Sequence, residues 1–165
     1  MSSDSRFLIP RRDEERAPRR HFRHPLNPNS EVYLRALGRS VGLERSGVTL
    51  AEVPPGRESF IYHAHRVEEE WLYIISGSGT AVIDGQEYAV DAGDFMGFPT
   101  PSVPHSLVNT GDQDLVYLMG GESRPCEIAE YPSIGTFVIR DGDRAYAVEK
   151  DAMKPFWPPP DDVDD

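Results

Sequence analysis

From about Val41 to Val148, apolar and polar residues alternate with a period of two, in short runs broken by glycine, proline, aspartate and asparagine. The alternation predicts strands at Val48–Val53, Ser59–His65, Glu70–Ser76, Thr80–Asp84 and Glu87–Val90, then at Phe95–Phe98, His105–Asn109, Leu115–Met119, Gly135–Arg140 and Arg144–Glu149. Asp84-Gly85 and Asp141-Gly142 stand between apolar runs and predict tight hairpins, because glycine tolerates the positive φ such turns require. No segment shows a convincing 3.6-residue period, and only a short helix or irregular stretch is expected near Glu31–Leu37. Ten short strands without an internal repeat predict an all-β sandwich or barrel.

The ends differ from this middle. Residues 1–24 hold seven of the 15 arginines against four acids, which predicts an irregular, solvated arm over residues 1–40. Residues 151–165 are rich in proline and end in DDVDD, so a disordered acidic tail is expected, with Phe156 and Trp157 available to anchor its start. Between them, residues 41–150 form the expected single domain. A length of 165 residues with 38% hydrophobic positions suits one core.

Composition excludes several classes. No run of apolar residues is long enough for a membrane helix, and no apolar segment near the start reads as a secretory signal. The single cysteine, Cys126, excludes an internal disulfide framework and a thiolate-clustered zinc site. It is expected as a small buried apolar residue in a protein of the reducing cytoplasm. The net charge of −11 argues against nucleic-acid binding, which needs a basic face. No nucleophile elbow, phosphate-binding glycine loop or dinucleotide fingerprint is present.

Three of the five histidines carry the candidate chemistry. His63 and His65 are two apart, so on an extended strand both leave the same face. Glu70 heads the next apolar run and His105 opens a later one. Three imidazoles and one carboxylate converging inside a barrel can hold one divalent transition metal such as Fe, Mn, Ni or Zn, with two positions of a six-coordinate ion left for a ligand. In the run Glu68–Glu70, an inward Glu70 carries Leu72 and Ile74 inward, whereas an inward Glu69 would bury Trp71, Tyr73 and Ile75. Aliphatic residues fill a narrow barrel more readily, which selects Glu70. His21 and His24 are expected at the surface, and Asn109 as a support for a loop.

The spacing resembles a known family. Gly56, six residues, His63-Ala64-His65, four residues, Glu70, six residues and Gly77 is similar to the first motif of the cupin superfamily, with one extra residue after the first glycine. Gly93, Pro99, His105 and Asn109 resemble its second motif, although PTPSVPH replaces the usual glycine after the proline and lengthens the loop by one. The resemblance covers roughly residues 48–120. DAGDF before the second motif and the later AEYP are similar to small bacterial single-domain cupins. The resemblance implies a double-stranded β-helix (a jelly-roll barrel) with His63, His65, Glu70 and His105 as metal ligands. Family members include dioxygenases, isomerases, decarboxylases and lyases.

Two functional readings follow: a metalloenzyme acting on a small organic molecule, or a non-catalytic module that binds a small molecule and senses it. Neither a general base nor any other catalytic residue is identified. Parity adds a partner. With His63 and His65 inward, Phe60 and Tyr62 face outward near Trp71, Tyr73 and Ile75, an apolar patch larger than monomers usually expose. A homodimer covering that patch is expected, or else the amino-terminal arm folded over it.

Overall fold

The period-two alternation resolves into antiparallel sheets whose inward residues meet in one core. The computed structural model describes residues 5–157 apart from 12 and 14. The main sheet contains β1 (Arg20–Arg23), β2 (Glu31–Arg35), β3 (Ser46–Val53), β10 (Leu115–Glu122), β5 (Glu70–Ser76) and β8 (Phe95–Phe98), in that order. Against it lie two smaller sheets. One is β7 (Gln86–Asp91), β6 (Ser78–Ile83) and β9 (His105–Val108); the other is β13 (Arg144–Glu149), β12 (Thr136–Asp141), β11 (Cys126–Tyr131) and β4 (Ala64–His65). One short helix, α1 (Leu37–Ser40), packs on β3. The architecture is the expected all-β jelly roll. No helix among the described residues is long and apolar enough to cross a membrane.

The core forms where inward faces of the opposed sheets meet. Ala51, Val53, Leu72, Ile74, Leu115 and Tyr117 come from the main sheet, and Ala81, Val90 and Leu107 from the three-stranded one. Leu72 and Ile74 point inward while Tyr73 and Ile75 are exposed, so β5 has the phase that brings Glu70 inside. Asp84 and Gly85 both adopt positive φ (49° and 74°), and this turn joins β6 to β7 as the Asp-Gly pair predicts.

Several expectations are corrected. The amino-terminal arm is not irregular throughout: β1 and β2 extend the main sheet, and Ala17, Ser30 and Val32 are fully buried. The stretch near Glu31–Leu37 is mainly strand, because Tyr33, Leu34 and Arg35 pair with Glu52, Ala51 and Leu50. Long-range pairing decides what local pattern left ambiguous. The expected strand Ser59–His65 shrinks to an isolated bridge at His63 followed by β4, and its alternation fails there. Phe60 therefore packs against the core and against Phe22 of β1 (ring centroids 5.8 Å apart) instead of facing outward. The Tyr62 hydroxyl accepts the Gly85 N–H at 2.9 Å. The outer apolar face is thus Trp71, Tyr73 and Ile75 joined by Phe95, which is 65% exposed and stacks on Trp71. Trp71 lies against Gly120, where any Cβ would run into its indole ring.

Cys126 is exposed, not buried: it opens β11, whose alternation turns Glu127 and Ala129 inward instead. Phe156 and Trp157 touch each other but are 86% and 76% exposed, so they do not anchor the tail. Residues 158–165, the acidic end, lie outside the described residues.

Asn109 is the fully buried support for its loop. Its Nδ2 donates to the carbonyls of Val53 and Gln113, both at 2.7 Å, and its Oδ1 accepts the Gly111 N–H at 3.0 Å. Asn109→Ala leaves these three groups without a side-chain partner, so chemical denaturation should show a loss of roughly 3 kcal/mol. A loss below about 0.5 kcal/mol would remove the structural role.

Candidate metal centre

Backbone pairing brings the three central histidines together. His63 and His105 exchange both main-chain hydrogen bonds, His63 N–H to His105 O at 3.0 Å and His105 N–H to His63 O at 2.8 Å. Such a mutual pair sets two side chains side by side on one face. His65 is held from two directions. It pairs with Ala129 of β11, and its N–H donates to Ser102 Oγ at 2.7 Å while its carbonyl accepts the Ser102 N–H at 2.8 Å. The atypical loop PTPSVPH, with a cis Thr100-Pro101 bond, supplies that serine. Glu70 opens β5 and pairs with Phe98 of β8, whose ring stacks on His105 at 3.6 Å between centroids.

The four side chains converge as expected: one ligand atom from each of His63, His65, Glu70 and His105 lies within 4.8 Å of all the others. His63 Nε2 is 3.1 Å from His65 Nε2, and Glu70 Oε2 is 3.0 Å from His105 Nε2 and 3.5 Å from His65 Nε2. Glu69 remains exposed. No other group of this kind occurs among the described residues.

Tautomers test whether the group fits a metal. His63 Nδ1 donates to Ile61 O at 2.7 Å, and His105 Nδ1 donates to Val103 O at 3.1 Å. A neutral imidazole carries one N–H, so both Nε2 atoms present lone pairs to the centre, beside a carboxylate oxygen. Lone pairs held this close repel unless a cation lies among them. Three imidazole nitrogens and one carboxylate are the donor set of a borderline transition ion, and the residues fit one.

Charge and burial act in opposite senses. Burial pulls the His63 imidazole down to about 4; the Glu70 charge opposes this, and His105 and His65 reinforce it. Burial also opposes protonation of His65, but the hydrogen bond and charge of Glu70, with the charges of Glu127 and Glu68, raise it above the usual imidazole range. Burial would raise Glu70, yet its close contacts with His105 and His65 and the neighbouring His63 hold it well below the usual carboxylate range.

The surroundings are lopsided. On the inner side Phe60, Leu72, Met96, Phe98, Leu107 and Tyr117 enclose about 20 Å³, room for about one water. The Tyr117 hydroxyl is buried there and bonds Ser59 Oγ. On the outer side a cleft of about 210 Å³ opens beside His65 and Glu70, floored by Gly47, Gly120 and Gly121. It adjoins a wider cleft that reaches Arg39 and Arg140, the two sharing Gly47, Thr49, Glu68 and Glu122. Two of the rim acids are paired, Glu68 with Arg140 and Glu122 with Arg124, and Glu69 is exposed.

Three neighbours escaped the sequence reading. Tyr131, from the AEYP segment, stacks on His63 (5.6 Å, 19°), and its hydroxyl is raised by burial and then by the Glu70 charge. Half-buried His24, expected at the surface, lies against Tyr131 at 6.2 Å, and His21 is exposed as expected. Glu127 stands 3.7 Å from His65 Nδ1. Only AEYP drew notice in the sequence, and nothing local showed that its tyrosine reaches His63.

Comparison with known proteins gives the family and fold of the chain. The profile of the Cupin domain family matches residues 49–121. The uncharacterized protein MJ1618 of Methanocaldococcus jannaschii is 36% identical over 72 residues, covering 42% of this chain and 56% of that protein. The chain thus spans just over half the length of that relative. A solved structure from Acidithiobacillus ferrooxidans, a proposed sugar phosphate isomerase, is 31% identical with a TM-score of 0.86, covering 93% of this chain and 98% of that one. The sugar phosphate isomerase of Silicibacter pomeroyi, from a cupin superfamily, is 28% identical with a TM-score of 0.79, covering 87% and 94%.

Ligation needs neutral imidazoles and an ionised carboxylate. As pH falls, His65 takes a proton first because its folded value is raised, whereas His63 resists until about 4. Metal content after dialysis should therefore drop as pH passes down through the ordinary histidine range near ~6.5. Full occupancy at pH 4, read by elemental analysis, would contradict a site of three histidines. Glu70→Gln should lower metal affinity by about tenfold or more at pH 7.5.

Proposed function

Since this chain belongs to the cupin superfamily, we propose that it is a metal-dependent enzyme of the cytoplasm that isomerises a small phosphorylated sugar. His63, His65, Glu70 and His105 hold one divalent transition ion. The observation that carries the reading is the pair of Nε2 lone pairs, fixed by Nδ1–H donation to Ile61 and Val103, facing the Glu70 carboxylate. The names and extent of the two solved relatives, each similar over most of both chains, favour isomerisation within the family's range.

A bound ion supplies a Lewis acid for the hydroxyl and carbonyl oxygens of a substrate. The protein supplies the rest. Phe60, Phe98 and Tyr117 exclude water from the inner side, so substrate enters through the glycine-floored cleft beside His65 and Glu70. Tyr131 keeps its hydroxyl proton at neutral pH and serves as a hydrogen-bond donor above His63. His24, whose imidazole is lowered by partial burial, accepts the Leu26 N–H on Nδ1 at 3.2 Å, so its Nε2–H is a donor at the arm side of Tyr131. The phosphate lies outward toward Arg39, whose guanidinium donates to Ser123 Oγ at 3.2 Å.

A second copy covers the outer face of β5 and β8. Tyr73 and Ile75 are 44% and 47% exposed beside Trp71 and Phe95, an apolar surface that water does not favour.

Protein purified without added metal should contain close to one transition ion per chain by elemental analysis. Incubated in D2O with a panel of aldose and ketose phosphates, it should interconvert one pair with deuterium entering the carbon next to the carbonyl. Metal-loaded protein inert to the whole panel would favour the sensing module. Arg39→Ala should raise KM for the phosphorylated substrate about tenfold with metal content unchanged. Tyr73→Asp should elute later from a sizing column than the parent; an unchanged volume counts against the dimer.

A further inference from the structure

The ring nitrogens facing away from the centre are not treated alike. His63 and His105 give their Nδ1–H groups to main-chain carbonyls, an arrangement built into the backbone. His65 Nδ1 is buried and has no hydrogen-bond partner within normal length. Facing it is the Oε1 of Glu127, 3.7 Å away. Glu127 is 4% exposed, an inward carboxylate on β11 two residues from Ala129, which itself pairs with His65.

The same carboxylate ties down the turn between two of the candidate ligands. Its Oε1 accepts the N–H groups of Arg66 (3.0 Å) and Val67 (3.3 Å), and its Oε2 accepts that of Glu68 (2.6 Å). Three consecutive main-chain donors satisfy a buried charge that would otherwise be costly. They also fix the four-residue connection that sets His65 and Glu70 opposite each other.

We propose that Glu127 is a positioning residue for the metal centre: it takes the Nδ1–H of His65, so that Nε2 is the nitrogen this ring offers. The assignment rests on the metal-binding reading above. If Nε2 is the ligand, Nδ1 must carry the proton, and a buried N–H needs an acceptor. Bringing the pair to hydrogen-bond length takes a movement of only about 0.7 Å. Of the three ring N–H groups, this one alone then faces a charge, which makes His65 the most basic of the imidazole donors. An outer carboxylate on a metal-bound histidine is typically worth roughly 10–100-fold in metal affinity.

The test uses full-length protein labelled with 15N-histidine and loaded with zinc, which is diamagnetic. Long-range proton–nitrogen correlation should show Nδ1–H tautomers on all three rings, with the His65 proton shifted downfield by its bond to a carboxylate. In Glu127→Gln that proton should move upfield while the His63 and His105 signals stay in place, and chelator competition should show zinc affinity about tenfold or more weaker. A role confined to tethering the turn would leave the His65 ring proton where it was, and that result overturns the assignment. If Glu127→Gln fails to fold, the parent spectrum still decides, because an Nε2–H tautomer on His65 refutes it. Parent protein that takes up no zinc removes the metal reading itself, and the assignment with it, whereas tight zinc binding unchanged by Glu127→Gln removes the assignment alone.

Discussion

Everything at this centre depends on the two-way main-chain pairing of His63 with His105. That pair is short and stands outside the regular strands, yet it joins the segment before β4 to the start of β9. Because each residue both donates and accepts, the two Cα atoms are held side by side with their side chains on one face. The Nδ1 donations to Ile61 and Val103 then aim the remaining lone pairs. The result is a close set of nitrogen and oxygen donors of the kind a transition ion takes, held in place by main-chain hydrogen bonds.

The barrel divides its two sides accordingly. Large apolar residues close the inner side to about one water, while glycines on β3 and β10 leave the outer side open. His105 lies on the closed side with 6% of its side chain exposed, whereas His65 and Glu70 keep 18% and 16% and border the cleft. A small molecule therefore meets the centre from one direction. At the rim two of the acids, Glu68 and Glu122, are paired with Arg140 and Arg124.

The arm and β11 complete the centre together. Phe22 covers Phe60 and His24 lies against Tyr131, so β1, with the residue after it, is part of the wall and not a detached leader. β11 contributes Tyr131 above His63 and Glu127 behind His65. The apolar face of β5 and β8 is separate from this work, on the outer surface of the main sheet.

The alternating strands of the middle, the Asp84-Gly85 hairpin, the inward phase of β5 and the identity of the four converging side chains are legible in the residues alone. These are readable because period-two burial is local and because ligand chemistry admits few residue types. That the arm pairs as strands, that Phe60 turns inward, that Cys126 faces solvent and that a buried glutamate stands behind His65 emerges only in the folded chain. The physical reason is the same in each case. A strand partner, a ring across the sheet or an acceptor for one N–H is a long-range neighbour, and an inward Glu127 looks in isolation like any exposed acid. Its meaning comes from the three main-chain donors and the imidazole that folding brings to it.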